Sequence, residues 1–183
     1  LALLVGSMML FLVGLADDLI GVGYKKKFIV QILAASLLVA SGVWIKSLDG
    51  LFGIYQLSPW MGMPFTVLIV VYVTNAINLI DGIDGLASGL CSIACLLYGL
   101  TFLMFHQYIY AMLAFATLGV LVPFFYYNVF GNAEHGKKIF MGDTGSLTVG
   151  MMLCLLSLKL TMCGTDDNTV HINPMVLAFS PLL

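Results

Sequence analysis

NAINLIDGIDGLASG, residues 75–89, is the stretch on which the fold turns. It closes an apolar run and sets Asn75, Asn78, Asp81 and Asp84 at three-residue intervals, in a chain that is 61% hydrophobic and 9% charged. Amide and carboxylate side chains are costly near lipid, so their presence at the end of an apolar run marks a candidate site. The three-residue step keeps them neighbours on a helix while drifting around its turn, and Gly82 and Gly85 let the backbone open there. The segment therefore reads as a membrane span running into a short polar turn. Ordinary helix capping and turn chemistry is the competing explanation for each side chain taken singly.

Outward from this stretch, apolar runs near the ~20 residues needed to cross ~30 Å of hydrocarbon recur along the chain. The mean hydropathy of the 183 residues is +1.08. The expected fold is all-α, a polytopic transmembrane helical bundle of about seven spans. Those spans are residues 1–16, 28–45, 64–79, 86–105, 108–127, 147–162 and 174–183, forming one integral membrane domain over 1–183. Because the chain opens on Leu1 and ends inside an apolar run, it is expected to be an excerpt truncated at both ends. The first run lacks a basic flank before it and is followed by Asp17 and Asp18, which favours a span over a signal peptide. Residues 46–63, with Gly50, Gly53 and Pro59 among aromatics, suit an interfacial turn or hairpin. His106 and Gln107 make the tight turn of an antiparallel pair. Residues 128–146 form the longest clearly polar loop, and residues 163–173 form another. Cys91, Cys95, Cys154 and Cys163 show no metal-type pairing with His and are read as small packing residues. The net charge of −2 says little, and no nucleic-acid partner is expected.

Counting spans places the polar groups. Two spans separate Asp17 and Asp18 from the 78–84 cluster, and two more separate that cluster from Asp143, so all emerge on one membrane face. Lys25, Lys26, Lys27, Lys137 and Lys138 lie on the same side, Lys46 lies opposite, and Lys159 is near the far end of the sixth span. The positive-inside rule makes the acidic face cytoplasmic in a cell inner (plasma) membrane. There Asp17, Asp18, Asn78, Asp81, Asp84 and Asp143 gather with lysines and glycine-rich turns. Hard oxygen ligands suit Mg²⁺, with Mn²⁺ an acceptable substitute, bound through one or two carboxylates and substrate phosphates. Lysines and open amides suit phosphate oxygens. The combination points to phosphoryl transfer at the membrane surface, in which the protein chiefly positions the reactants.

Asp17-Asp18, KKKFIVQ at 25–31, NAINLIDGIDGLASG at 75–89 and KIFMGDTGSLTVG at 138–150 also carry a family resemblance. The chain resembles the polyprenyl-phosphate N-acetylhexosamine-1-phosphate transferases, of glycosyltransferase family 4 type. These are integral membrane enzymes that move a sugar phosphate from a UDP-sugar to polyprenyl phosphate and release UMP. The resemblance runs in order over nearly the whole chain and implies one transferase domain. By position, it implies that Asp17 and Asp18 handle the acceptor phosphate, that Lys27 contacts phosphate, and that Asp143 is a magnesium ligand with Asn78 a second metal contact. Asp81 and Asp84 fall at nucleotide-sugar pocket positions, Asn128 at a polar pocket position, and Phe140 at an aromatic position that can stack on uracil or serve as an interfacial aromatic. The family's histidine-rich loop falls after the last residue, and His106, His135 and His171 do not replace it. A homodimer is left open.

A phosphate monoester has its second pKa near ~6, so the acceptor is already mostly dianionic at neutral pH, and an ordinary Asp near ~3.9 is a poor base for it. A single displacement is favoured, with a covalent aspartyl intermediate the competing scheme. The ASG after DGIDGL, the isoleucine in NLIDG and the insertion VFGNAEHGK look more like the undecaprenyl-phosphate N-acetylglucosamine-1-phosphate transferases that start O-antigen, teichoic-acid or capsular glycans. The phospho-N-acetylmuramoyl-pentapeptide transferase of peptidoglycan synthesis is the alternative within the family. A transporter, which needs its acids near the bilayer midplane, and a catalytically silent scaffold are the alternatives outside this activity.

Overall fold

A computed structural model describes residues 2–48, 55–132 and 136–163. They form six helices: α1 (Ala2–Ile20), α2 (Tyr24–Ala40), α3 (Pro59–Ile80), α4 (Leu86–Met104), α5 (Tyr108–Phe130) and α6 (Gly142–Cys163). Five of them, all but α2, are long and apolar enough to cross a membrane, so this is a multi-pass helical membrane protein. Of the expected spans, the seventh at 174–183 lies outside the described residues, as do the polar loop from 164 onward and Gly50, Gly53, His135 and His171.

Several boundaries differ from the sequence expectation for identifiable reasons. The 17-residue α2 starts before its lysines and stops at Ala40, well short of 45. Ser41 donates its hydroxyl to the Leu38 carbonyl and Gly42 takes φ +89, a conformation that suits glycine and ends the helix. The chain then folds back, and the Ile45 amide donates to Thr66 Oγ1 at 3.0 Å. The expected hairpin is present as an antiparallel bridge between Ser47 and Gln56, flanked by Leu48 N–H to Tyr55 O and Leu57 N–H to Lys46 O. Helix α3 begins five residues early because Pro59 sits in its first turn, where a missing N–H costs nothing. Lys25, Lys26 and Lys27 belong to the first turn of α2, not to a loop, and GDTGS opens α6 instead of forming a turn.

Helix α6 occupies the centre, packed by α1 and α3 and touched by α4; α2 bridges α1 and α3, and α5 packs on α4. Leu147, Met151, Leu153, Leu156, Leu158 and Leu160 of α6 are all buried. Without a water-driven hydrophobic effect between spans, such packing relies on close approach of small residues. Gly14 of α1 shows the requirement: a Cβ there would lie 2.6 Å from Thr144 Cα. The end of α1, the start of α2, the end of α3, the start of α4, the end of α5 and the start of α6 all lie at one end of the bundle, as the sequence led one to expect. Helix α2 makes the return pass between α1 and α3 although it is not among the five helices long and apolar enough to span.

Candidate functional site

At that end, Lys27 holds the centre. Its Nζ donates to Asp17 Oδ2 at 2.9 Å and, in a closer contact, to Asp143 Oδ2. Asp17 is fixed from its other oxygen by the Val22 amide at 2.5 Å, in the three-residue turn between α1 and α2. Asp143, in the first turn of α6, takes a second hydrogen bond on Oδ1 from Asn78 Nδ2 at 2.7 Å. Asn78 also donates to Ser146 Oγ at 2.8 Å, and that hydroxyl donates to the Gly142 carbonyl. Side chains from α2 and α3 thus converge on one aspartate of α6.

Asp18, adjacent in sequence, faces a different set of donors. Its Oδ1 accepts from the Asp143 amide at 2.9 Å, and its Oδ2 accepts from the Thr144 amide at 3.0 Å and the Thr144 hydroxyl at 2.5 Å. It satisfies unpaired N–H groups of the first turn of α6 and places a negative charge at the positive end of that helix. Gly142 must be glycine here, since its φ is +62 and a Cβ would meet the Asp18 carboxylate at 2.8 Å. Asp81 caps the end of α3 and accepts from the Gly142 amide. Burial pushes its carboxyl above the ordinary carboxylate range; the Gly142 amide opposes that rise, and the nearby charges of Asp143 and Asp18 add to it.

The remaining predicted residues form a neighbouring rim. Lys138 pairs closely with Asp84, its ammonium 5.6 Å from the centre of the exposed Phe140 ring. Asn128 is buried: Oδ1 accepts from the Gly85 amide at 2.6 Å and Nδ2 donates to the Ile139 carbonyl at 2.8 Å. Its amide therefore clips the 82–85 turn to the strand of chain entering α6. The structure thus unites Asp17, Asp18, Lys27, Asn78, Asp81 and Asp143, and sets Asp84, Asn128 and Phe140 beside them. Sequence reasoning missed Thr144, Ser146 and Gln31. Reading GDTGS as the start of a helix would have put Ser146 on the face of Asp143, three residues on. Asn75 stands apart from the cluster, paired with Gln31 one turn deeper in the bundle.

Among the described residues no three acidic, His or Cys side chains form a ready metal cage. A magnesium-type site does not need one. Asp143 on a partly exposed helix end, with the Asn78 side chain against it, Asp17 sharing its Lys27 ammonium and the Asp18 and Asp81 carboxylates on the backbone amides of the same helix start, suits a hard cation that takes its other ligands from water and phosphate. An apolar groove of about 700 Å³ runs along the outside of α2 and α3, lined by Phe28, Ile32, Leu68, Val71 and Tyr72, with Asn75 its polar member. Phe28, on the wall of this groove, is the residue that follows Lys27.

Residues 1–161 match the family model described as glycosyl transferase family 4. Among curated proteins, the chain is 37% identical over 159 residues to a probable undecaprenyl-phosphate N-acetylglucosaminyl 1-phosphate transferase of Bacillus subtilis, covering 86% of this chain and 43% of that protein. It is 33% identical over 203 residues to a decaprenyl-phosphate N-acetylglucosaminephosphotransferase of Mycobacterium leprae, covering all of this chain and 50% of the relative. A phospho-N-acetylmuramoyl-pentapeptide-transferase of Prochlorococcus marinus is 35% identical over 170 residues, 84% of this chain and 45% of that protein. The chain therefore spans about half the length of the curated relatives it matches.

Proposed function

This chain belongs to glycosyl transferase family 4, and from that premise we propose that it supplies the phosphate-handling face of a phosphoglycosyl transferase. The enzyme moves N-acetylhexosamine 1-phosphate, with N-acetylglucosamine the favoured sugar, from a UDP-sugar to polyprenyl phosphate and releases UMP, which starts a cell-envelope glycan. The observation that carries this reading is the Lys27 ammonium held between Asp17 and Asp143, with the next residue, Phe28, on the wall of an apolar groove. A lipid phosphate needs a cation at its head and an apolar channel for its chain, and this arrangement offers both. The cluster lies at helix ends, where a surface transferase keeps its site; a transporter would hold it near the midplane. The lysines of this face, with Lys46 and Lys159 elsewhere, support a cytoplasmic orientation in the cell inner membrane.

In the reaction, an oxygen of the lipid phosphate attacks the sugar-bearing phosphorus of the UDP-sugar. The new P–O–P bond forms as the bond to UMP breaks, and UMP leaves as the anion. Lys27 orients the attacking phosphate, and Asp17 fixes the Lys27 ammonium from the α1 side. Asp143, with the Asn78 side-chain oxygen, would hold Mg²⁺, which when bound neutralises charge on the diphosphate. Asp18 anchors the first turn of α6 and with it the position of Asp143. Phe140 and Asp84 border the space where a nucleotide would lie. Both oxygens of Asp17 and of Asp18 are already engaged by donors from the protein, which supports a single displacement over a covalent aspartyl intermediate.

The test is direct. Protein in nanodiscs is incubated with undecaprenyl phosphate, Mg²⁺ and radiolabelled UDP-N-acetylglucosamine, or in parallel UDP-N-acetylmuramoyl-pentapeptide. Label entering the lipid phase from the first donor, and blocked by EDTA, supports the proposal. Entry only from the second donor moves the chain to the peptidoglycan branch, and entry from neither overturns the transferase reading.

A further inference from the structure

Gln31 of α2 and Asn75 of α3 form a reciprocal amide pair inside the bundle. Asn75 Nδ2 donates to Gln31 Oε1 at 2.5 Å and to the Val71 carbonyl of its own helix at 2.7 Å; Gln31 Nε2 returns a longer bond to Asn75 Oδ1 at 3.4 Å. Gln31 is 2% exposed. Neither residue touches the charged cluster. Each, however, lies one turn from a residue that does: Lys27 is four residues before Gln31, and Asn78 is three after Asn75, so each couple shares a helix face. Lys27 and Asn78 are the two side chains that grip opposite oxygens of Asp143.

We propose that the Gln31–Asn75 pair is a positioning device for sugar-phosphate transfer, fixing α2 against α3 so that Lys27 and Asn78 meet on Asp143. This rests on the transferase reading. The physical argument is one of register. A slip of one residue along a helix is ~1.5 Å of rise and ~100° of rotation, enough to remove either Lys27 or Asn78 from its aspartate oxygen. Apolar side chains at the α2–α3 contact pack without direction and would tolerate a small slide. A pair of amides that both donate and accept does not, because in a low-dielectric interior each unmatched group is penalised. Asn75 also lines the apolar groove, as its residue nearest the cluster on α3. The device therefore fixes the groove wall and the charged cluster relative to each other.

The experiment uses the protein in nanodiscs with Gln31→Leu, Asn75→Leu, both together, and the exchange Gln31→Asn with Asn75→Gln. Each leucine variant is expected to lower kcat per folded molecule by about 10–10²-fold, as a displaced but intact site does. The KM for the UDP-sugar donor should stay within about two-fold, since neither residue lies in the charged cluster. The double leucine variant should be no worse than the worse single one, because removing both amides leaves none unmatched, and the exchange should recover most of the rate. A second readout does not depend on activity. Amine acylation of Lys27, measured by mass spectrometry against the exposed Lys25 and Lys26, should rise at least about three-fold in each leucine variant as its carboxylate partners are lost. Unchanged Lys27 labelling together with unchanged kcat, even with a lower melting temperature, would reduce the pair to packing and overturn the proposal. If the wild type transfers no sugar phosphate, the labelling still decides: raised Lys27 reactivity keeps the positioning role and removes only the transferase reading, while unchanged reactivity removes both.

Discussion

Two helix pairs show how differently this bundle fixes its geometry. In the α4–α5 hairpin neither helix carries a charged residue. The reversal is local: His106 takes φ +56, its amide donates to Leu103 O, and the Gln107 amide reaches Phe102 O at 2.8 Å, the bonding pattern that closes helices with a left-handed residue. Side-chain volume does the rest, with Phe102 and Tyr98 buried and Gly99 seated against the Phe115 ring. At the cluster end of the α1–α6 seam the contact is polar and distant in sequence, since Asp18 accepts from the amide of Asp143, 125 residues later, in the first turn of α6. Gly14 brings the two backbones together, and Asp17 and Asp143 share Lys27. The hairpin spends its residues on packing; the seam uses costly polar groups, and those are the groups that can do chemistry.

The sharpest break in that comparison is Asp143→Ala. It should lower transfer by about 10³-fold or more, as loss of a group aimed at transition-state charge does, while the bundle still folds. The stabilisation of the wild type by added Mg²⁺ in a thermal-shift assay should vanish in the variant. A variant that keeps its Mg²⁺ response would remove Asp143 from the metal site. Next come the paired aspartates. Asp17→Asn frees Lys27 from one of its carboxylates and should cost about 10²-fold in rate with little change in stability. Asp18→Asn presents an NH₂ where three donors already point, so it should cost of order 1–2 kcal/mol in stability and a smaller part of the rate. Equal losses in rate and stability for the two, measured side by side, would erase the division of labour.

The same contrast explains what could be read in advance. The hairpin was legible because its signals are local: unbroken apolar runs, aromatic ends and a two-residue polar break gave starts at 86 and 108 that match the helices. The convergence of Asp17, Asn78 and Asp143 was legible too, because two passes of the chain, α2 and α3 and then α4 and α5, lie between each and the next, even though α2 falls short of a full span. Which partner each took was not. The role of Asp18 depends on GDTGS being helical, and a Gly-Asp-Thr-Gly sequence on its own reads equally well as a turn. Helix α6 continues through it because Asp18 satisfies its first amides from another helix, information that no window around residue 143 contains. Asn75 looked like a fourth member of the polar cluster by spacing, yet the 3.6-residue period turns it toward Gln31.

Steric substitutions sharpen the comparison at a lower level. Gly14→Ala would put a Cβ within 2.6–2.8 Å of Thr144 N, Thr144 Cα and Asp143 C, all backbone atoms that cannot move without moving the first turn of α6. Gly99→Ala meets the Phe115 ring at 2.8–3.0 Å, and a ring can rotate. Overpacking costs about 1–3 kcal/mol in either case. Only the first should also reduce turnover per folded molecule, read as specific activity of protein recovered after size exclusion.

The smallest effect concerns Asp81, whose carboxyl is raised above its ordinary value of 3.8 by burial and by the charges of Asp143 and Asp18. The sign follows from linkage. Between 3.8 and the raised value the folded state binds more protons at this site than the unfolded state, so its contribution to stability falls as pH rises through that window. At neutral pH the ionised Asp81 is therefore a small burden on the fold, and it is absent in Asp81→Asn. In chelator, so that no cation screens the cluster, the melting temperature of Asp81→Asn should exceed that of the wild type at pH 7. The gap should narrow as pH is lowered toward 3.8 and close below it. A gap that is constant with pH would assign the gain to hydrogen bonding with Gly142 and not to charge. A melting temperature that falls on substitution would mean that the ionised carboxylate is held by donors strong enough to outweigh its acidic neighbours, and the polar seam would then be stabilising in the same sense as the apolar hairpin.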